Sequence, residues 1–305
     1  MGFLSFLSRR TEKHVVEGRE IIILFLAKLN KEERAAFRGT ILLACASAPV
    51  ARYFPKLAFH LESESKYPFA KAWVKKEEFL QSQAIVHINA SKQLTVGTIV
   101  HELTHLWQEL TAGAMRKEMQ ANRNVLQALI RRMKSTGLGE SEIAELRFFL
   151  SSLFQGMFTE GLATYCERLI EGKVQFSDEE LAAGYAETKE YAEKILAVIP
   201  ESYKKGDLRK RILLHELLDV MTSRGMYSLG YHLVYTVLFI DHETTVEALG
   251  KMRPFEFIKK YESCILSKGL QPLVSATSGS GILDYKRLVA EWAAAAQEKG
   301  MKLRS

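Results

Sequence analysis

Thr98-Ile-Val-His-Glu-Leu-Thr-His-Leu-Trp107 decides how this chain is read. It places His101, Glu102 and His105 in the spacing HExxH. On a helix, residues four apart share a face, so the two imidazoles can offer nitrogens to one metal ion, a pattern suited to Zn2+. Glu102 projects beside them, where a carboxylate can take a proton from a water that the metal activates. The flanking Ile99, Val100, Leu103, Leu106 and Trp107 are apolar, as a helix packed inside a domain requires. A buried helix with two hydrogen-bonded histidines is the ordinary rival. It carries less weight, because a chance HExxH arises in a chain of this composition about once in fifty.

A catalytic zinc site commonly takes three protein ligands and keeps a fourth position for water. No histidine occurs between His105 and His215, and Gln108 and Thr111 stand where HExxHxxGxxH needs Gly and His. A carboxylate on a second helix is the alternative. Phe158-Thr-Glu-Gly-Leu-Ala-Thr-Tyr-Cys-Glu167 supplies Glu160 and, two turns further along the same face, Glu167. Gly161 lets another helix or the metal come close, which favours Glu160 as the ligand. Glu167 is then either a group that orients a histidine or a surface carboxylate.

HELTHLW followed by TEGLATY resembles the gluzincin group of zinc metallopeptidases, the thermolysin-like and aminopeptidase-like enzymes. The resemblance spans residues 84 to 260, and its specific part is short. It implies an α+β, predominantly helical chain: a zincin-like core with a small sheet beside the active-site helix, and a helical C-terminal part. It implies Zn2+ on His101, His105 and Glu160, Glu102 as general base, and a peptide or protein substrate. The separation from His105 to Glu160 is longer than in those families, so residues 112–153 read as a helical insertion. No G-x-M-x-N motif precedes the HExxH. Such proteins often carry a Y-x-x-G helix after the glutamate ligand, and Tyr227 with Gly230 matches it. The resemblance then implies an oxyanion donor: Tyr227 first, His232 second, Tyr231 third, each weighed against plain core packing.

Working outward, residues 12–50 read as two helices, the second starting at Asn30 as N-cap with acidic residues in the next turn. Leu57–Leu61 and Ala70–Val74 read as short strands. Ala84–Asn89 is a better one, and as an edge strand it would align an extended peptide. His87 on it reads as a packed residue, and Thr95 or Thr98 starts the HExxH helix. Ala112–Lys134 and Ser141–Leu153 read as helical around a break at Gly137–Gly139, with Arg123, Arg131, Arg132 and Lys134 on a solvated face. Further helices are expected from Asp178, over Gly225–Tyr235, over Pro254–Tyr261 and over 284–300. Ser275–Gly281 reads as a flexible loop, and His215-Glu-Leu-Leu-Asp219 as an ordinary helical stretch. The domain reading is 1–80 as an N-terminal mixed subdomain, 81–175 as the zinc-binding core, and 176–305 as a helical subdomain.

Composition narrows the class. A chain of 305 residues, 47% hydrophobic and 26% charged, has the makeup of a soluble globular protein. Its net charge of +6 is spread along the chain, which gives no strong nucleic-acid signal. Cys45, Cys166 and Cys264 are odd in number and far apart, as reduced core cysteines of a cytoplasmic protein would be. Met1–Arg10 lacks the order of a signal peptide, but Phe3 to Phe6 could touch a membrane surface. Two rival functions stand beside the peptidase: a zinc-stabilised binding module without hydrolytic activity, and a nucleic-acid-associated zinc protease.

Overall fold

The computed structural model describes residues 10–63, 72–74, 84–111, 140–204, 226–275 and 280–284, together with helical positions at 287, 288, 290 and 294. The readings for residues 1–9, 112–139, the connector after Lys204 and His215–Asp219 lie outside the described residues. The chain divides into two compact units, Met1–Thr111 with Tyr165–Val174, and Ala112–Thr164 with Gln175–Ser305. This differs from a boundary at residue 80. Strands from both sides of that point pair in one sheet. The chain is mixed α and β, mostly helical with a small sheet.

The first unit holds a five-stranded sheet in the order β1-β2-β3-β5-β4. Strand β1 is Arg10–Val16, β2 is Arg19–Phe25, β3 is Lys56–Glu62, β4 is Ala72–Val74 and β5 is Ile85–Asn89. Pairings β1·β2 and β4·β5 are antiparallel, and β2·β3 and β3·β5 are parallel. The first of the two helices expected over residues 12–50 is therefore a hairpin. Its loop is two residues, Glu17 and Gly18, both at positive φ (48° and 78°), the geometry a tight right-twisted hairpin demands. Glu17 pays for that conformation with strain, since its Cβ crowds the backbone there. The second expected helix, α1 (Lys31–Ser47), is present and opens with a capping box between Asn30 and Glu33.

Strand β5 lies between β3 and β4, so it is interior and not an edge strand; β4 is the edge beside it. Five consecutive buried residues on β5 fit that position. Alternate residues of β2 and β3 point one way: Ile21, Ile23, Leu57, Phe59 and Leu61 are fully buried. Ile41, Ala44 and Cys45 of α1 and Ile99, Val100, Leu103, Leu106 and Trp107 belong to the same unit's buried set. Each Ile, Val, Leu or Phe among them contributes about 1.5–3 kcal/mol on burial. The HExxH helix, α2, spans 96–111. Thr95 caps it, its Oγ1 accepting from the Thr98 amide at 3.1 Å, and Trp107 stacks on Tyr53 with centroids 5.6 Å apart.

Helix α3 (Glu140–Ile170) is unbroken: Gly156 and Gly161 do not interrupt it. The second unit also contains α4 (Asp178–Lys204), α5 (Met226–Ile240), α6 (Val246–Gly250), α7 (Pro254–Ser267) and the short parallel pair β6 (Val274–Ser275) and β7 (Leu283–Asp284). The loop expected from Ser275 thus begins inside a strand, and Leu283–Asp284, at the expected start of the last helix, is strand as well. Phe158 packs on Phe257 with ring centroids 4.8 Å apart. Tyr235 Oη donates to the Gln175 carbonyl at 2.9 Å and accepts from the Ser177 amide at 3.1 Å, fixing the start of α4 on α5. All three cysteines are buried and none is in a disulfide. Among the described residues no helix is long and apolar enough to cross a membrane.

Candidate metal centre

Helix α2 carries His101 and His105 on one face. Their Nε2 atoms are 3.1 Å apart, and the rings meet edge to face with centroids at 4.7 Å. The opposite ring nitrogens are both engaged. His101 Nδ1 lies 3.2 Å from Glu167 Oε2, and His105 Nδ1 lies 3.2 Å from Gln108 Oε1. A carboxylate and an amide oxygen can only accept, so each Nδ1 carries its ring's proton. The two Nε2 lone pairs then point toward one another across 3.1 Å, an arrangement that repels unless a cation, a proton or a metal, lies between them. Two nitrogens held at about 2.0–2.1 Å by one tetrahedral Zn2+ stand about 3.3 Å apart. The donor set fits a metal.

The carboxylate behind His101 is set by the pairing of α2 with the last turns of α3. A Cβ built on Gly97 would lie 2.4 Å from Glu171 Oε1 and 3.0 Å from Glu167 Cγ, so the absence of a side chain there admits both glutamates. Thr104 hydrogen-bonds Cys166, whose thiol is pushed up to about 11 by burial and so stays protonated at neutral pH. The contacts 97 with 171, 101 with 167 and 104 with 166 run in opposite directions along the two helices, an antiparallel register. Glu167 stands against a histidine ring, 3.2 Å from His101 Nδ1. The sequence signals Gln108 only through its i,i+3 spacing from His105, which places it one turn along the same face.

Glu102 is half-buried on α2 and one residue round the helix from His101. Glu160 lies on α3 two turns before Glu167, on the face that also carries Glu171. Gly161 serves helix packing: its Cβ would stand 2.3 Å from the Gly230 carbonyl oxygen, and a Cβ on Gly230 would stand 2.3 Å from the Met157 carbonyl oxygen. Helices α3 and α5 therefore cross backbone to backbone within the second unit.

That crossing orients the oxyanion-donor candidates. Tyr227 sits about 60° round α5 from Gly230, on the side toward α3, and is 37% exposed. Tyr231 is buried against Tyr235, with ring centroids 6.0 Å apart. His232 is not placed for the role. It lies roughly 160° from Gly230 round the helix, on the α4 side, with Nδ1 2.9 Å from where a Gly184 Cβ would be and its ring edge-on to Tyr185.

Burial there lowers the His232 pKa to about 4, so the ring is neutral in the folded protein. In the unfolded chain it titrates at an ordinary histidine value. The unfolded state thus binds more protons between the two values, and stability falls as pH drops through that window. Between about pH 6 and 4.5 the folded protein is expected to lose roughly 2 kcal/mol from this group. Urea titrations of wild type and His232→Leu at both pH values measure it. Equal slopes in the two proteins would mean that His232 is not the titrating group.

Compared with protein-family models, with curated proteins and with solved structures, the chain gives no match.

Proposed function

We infer that the protein is a zinc-dependent peptidase whose metal would be held by His101 and His105 of the HExxH motif, with Glu160 of the TEGLATY stretch as the third ligand. One observation carries the reading: two imidazoles whose Nδ1 protons are committed to Glu167 and Gln108 turn their Nε2 lone pairs onto a common point. Glu160 is the next acidic residue after Glu171 and Glu167 up the same face of α3, which favours it as the third donor over Glu167, already engaged with His101. Zn2+ bound there supplies Lewis acidity, polarising a substrate carbonyl and making water a nucleophile at neutral pH. Glu102 accepts the proton of the attacking water and returns it to the leaving amine. Tyr227 is the favoured donor to the developing oxyanion, since its side of α5 is the one that faces α3. Glu167 and Gln108 hold the imidazoles in the tautomer that presents Nε2. A zincin-like core with β4 as the edge strand for an extended peptide accompanies this reading.

The test is zinc content by elemental analysis together with hydrolysis of a quenched fluorescent peptide library. His105→Ala and Glu160→Ala are each expected to lose one equivalent of tightly held zinc and all hydrolysis. Glu167→Ala should keep the metal but bind it roughly 10–100-fold more weakly, read by competition with a chromophoric chelator. Zinc content untouched by His105→Ala would end the proposal. Zinc lost with Glu167→Ala and retained with Glu160→Ala would move the third ligand to Glu167.

A further inference from the structure

The sheet carries a second cluster of metal-ligating side chains on the face opposite Phe59 and Leu61. His60 and Glu62 are two apart on β3, so both leave the sheet on the same side as each other and opposite to Phe59 and Leu61. In the parallel register His60 stands level with His87 on β5. The three side chains thus form a triangle drawn by the backbone itself: two corners on one strand, the third on its neighbour. His87 Nδ1 lies 2.7 Å from Glu62 Oε1, the His60 and His87 rings meet at 84° with centroids 5.3 Å apart, and one ligand atom from each residue falls within 4.8 Å of the others. Trp73 of β4, opposite His87 in the antiparallel register, stacks over the His87 ring at 5.4 Å and 13°.

We propose that His60, Glu62 and His87 bind a second divalent transition-metal ion, Zn2+ in the first instance, distinct from the HExxH centre and structural in role. Two imidazoles and one carboxylate are the donors that suit such an ion and leave a fourth position for water, the ion replacing the proton that His87 Nδ1 shares with Glu62 Oε1 and releasing it to solvent. The carboxylate carries the only formal charge among the three when the histidines are neutral, so the cluster attracts a cation. His87 is 1% exposed while His60 and Glu62 are half-buried. One ligand is therefore fixed in the sheet and the others are reachable from solvent, so an ion can enter without the sheet opening. The strands fix the spacing before the ion arrives, which reduces the ordering cost of binding. Bound there, the ion ties β3 to β5, the strand that leads directly into α2. Its expected effect is on the stability of the sheet.

The experiment uses the full chain stripped with a chelator and titrated with Zn2+ alone, with stoichiometry read by elemental analysis after desalting and stability by thermal unfolding. Wild type should take up two equivalents, and His105→Ala should keep the second one. His60→Gln and Glu62→Gln, both at half-buried positions where the sheet tolerates an amide, should lose that second equivalent while retaining the first and retaining hydrolysis. In His105→Ala, added Zn2+ should still raise the unfolding temperature, and in His105→Ala combined with His60→Gln it should not. His14→Gln on β1 should behave as wild type. Two equivalents retained in both His60→Gln and Glu62→Gln overturn the proposal. So does a wild type that holds one equivalent and loses it with His105→Ala; in that case His87 and Glu62 are a plain cross-strand pair. A wild type that holds one equivalent, keeps it in His105→Ala and loses it in His60→Gln would count against the HExxH centre and support this second site.

Discussion

Glu102→Gln is expected to leave the zinc content unchanged and to lower hydrolysis of the peptide library about a thousand-fold, within the range that a positioned general base supplies. That loss corresponds to roughly 4 kcal/mol of transition-state stabilisation. The amide is nearly isosteric, so packing on α2 and the two imidazoles should be unaffected, and the purified variant should unfold at the wild-type temperature. What the amide cannot do is accept a proton at neutral pH. The same experiment separates the rival functions. A zinc-stabilised binding module would show no hydrolysis in wild type and no change in partner binding in Glu102→Gln. Wild-type hydrolysis in a variant that keeps its zinc would remove Glu102 from the proposed mechanism. Loss of zinc with the activity would instead make it a ligand. A nucleic-acid-associated protease would bind single-stranded DNA with a steep salt dependence, a behaviour that the dispersed charge of this chain gives no reason to expect.

The parts of the site that lie on one helix were legible in the sequence, because helical spacing converts directly into a shared face. The shared face of His101 and His105 needed nothing else, and the apolar flank of α2 is buried as its pattern requires. Glu167 could be narrowed to two roles but no further, since the contact with His101 depends on how α3 meets α2, and that is set by Gly97 on the other helix. Residues 10–25 form a hairpin where the pattern suggests a helix, for a physical reason. Ile21-Ile-Ile-Leu-Phe25 is a continuous apolar run, and such a run does not distinguish a strand from a buried helix by periodicity. The deciding signal was Glu17-Gly18, a weaker turn dipeptide than Asn-Gly, whose positive φ values close the loop. His60 and Glu62 were hidden differently: an alternating strand shows which residues share a face but not which neighbour they face, and His87 reaches them only through the β3·β5 register. His232 shows the converse error. A histidine near a Y-x-x-G pattern looks chemical in one dimension, yet helical phase turns it toward α4.

The largest stability effect is expected at the α3–α5 crossing. Gly161→Ala should destabilise the protein by about 3 kcal/mol or more, the upper end of overpacking costs. Taken alone, Gly to Ala inside a helix is favourable by about 1 kcal/mol, because it reduces the freedom of the unfolded chain. Space therefore decides the sign. The added methyl would meet Gly230 O at 2.3 Å, Gly230 C at 2.4 Å and Gly230 Cα at 2.7 Å, all backbone atoms that no rotamer change can move. Gly230→Ala faces the same obstacle from Met157 O at 2.3 Å and Gly161 Cα at 2.9 Å. Gly39 is the internal control: it also lies in a helix, α1, but its Cβ would meet nothing within 4 Å. Gly39→Ala should therefore stabilise by about 0.5–1 kcal/mol. Urea midpoints of the three variants measured side by side test the argument, and a neutral or stabilising Gly161→Ala would show that the helices do not cross this closely. The position of the crossing also ties stability to chemistry. Gly161 follows Glu160, and Gly230 lies one turn after Tyr227. The distance at which two glycines let these helices touch therefore sets how near the proposed metal ligand comes to the proposed oxyanion donor. A methyl group that pushes the helices apart by even one ångström should weaken hydrolysis as well as folding, since catalytic groups displaced that far lose about 100-fold in rate.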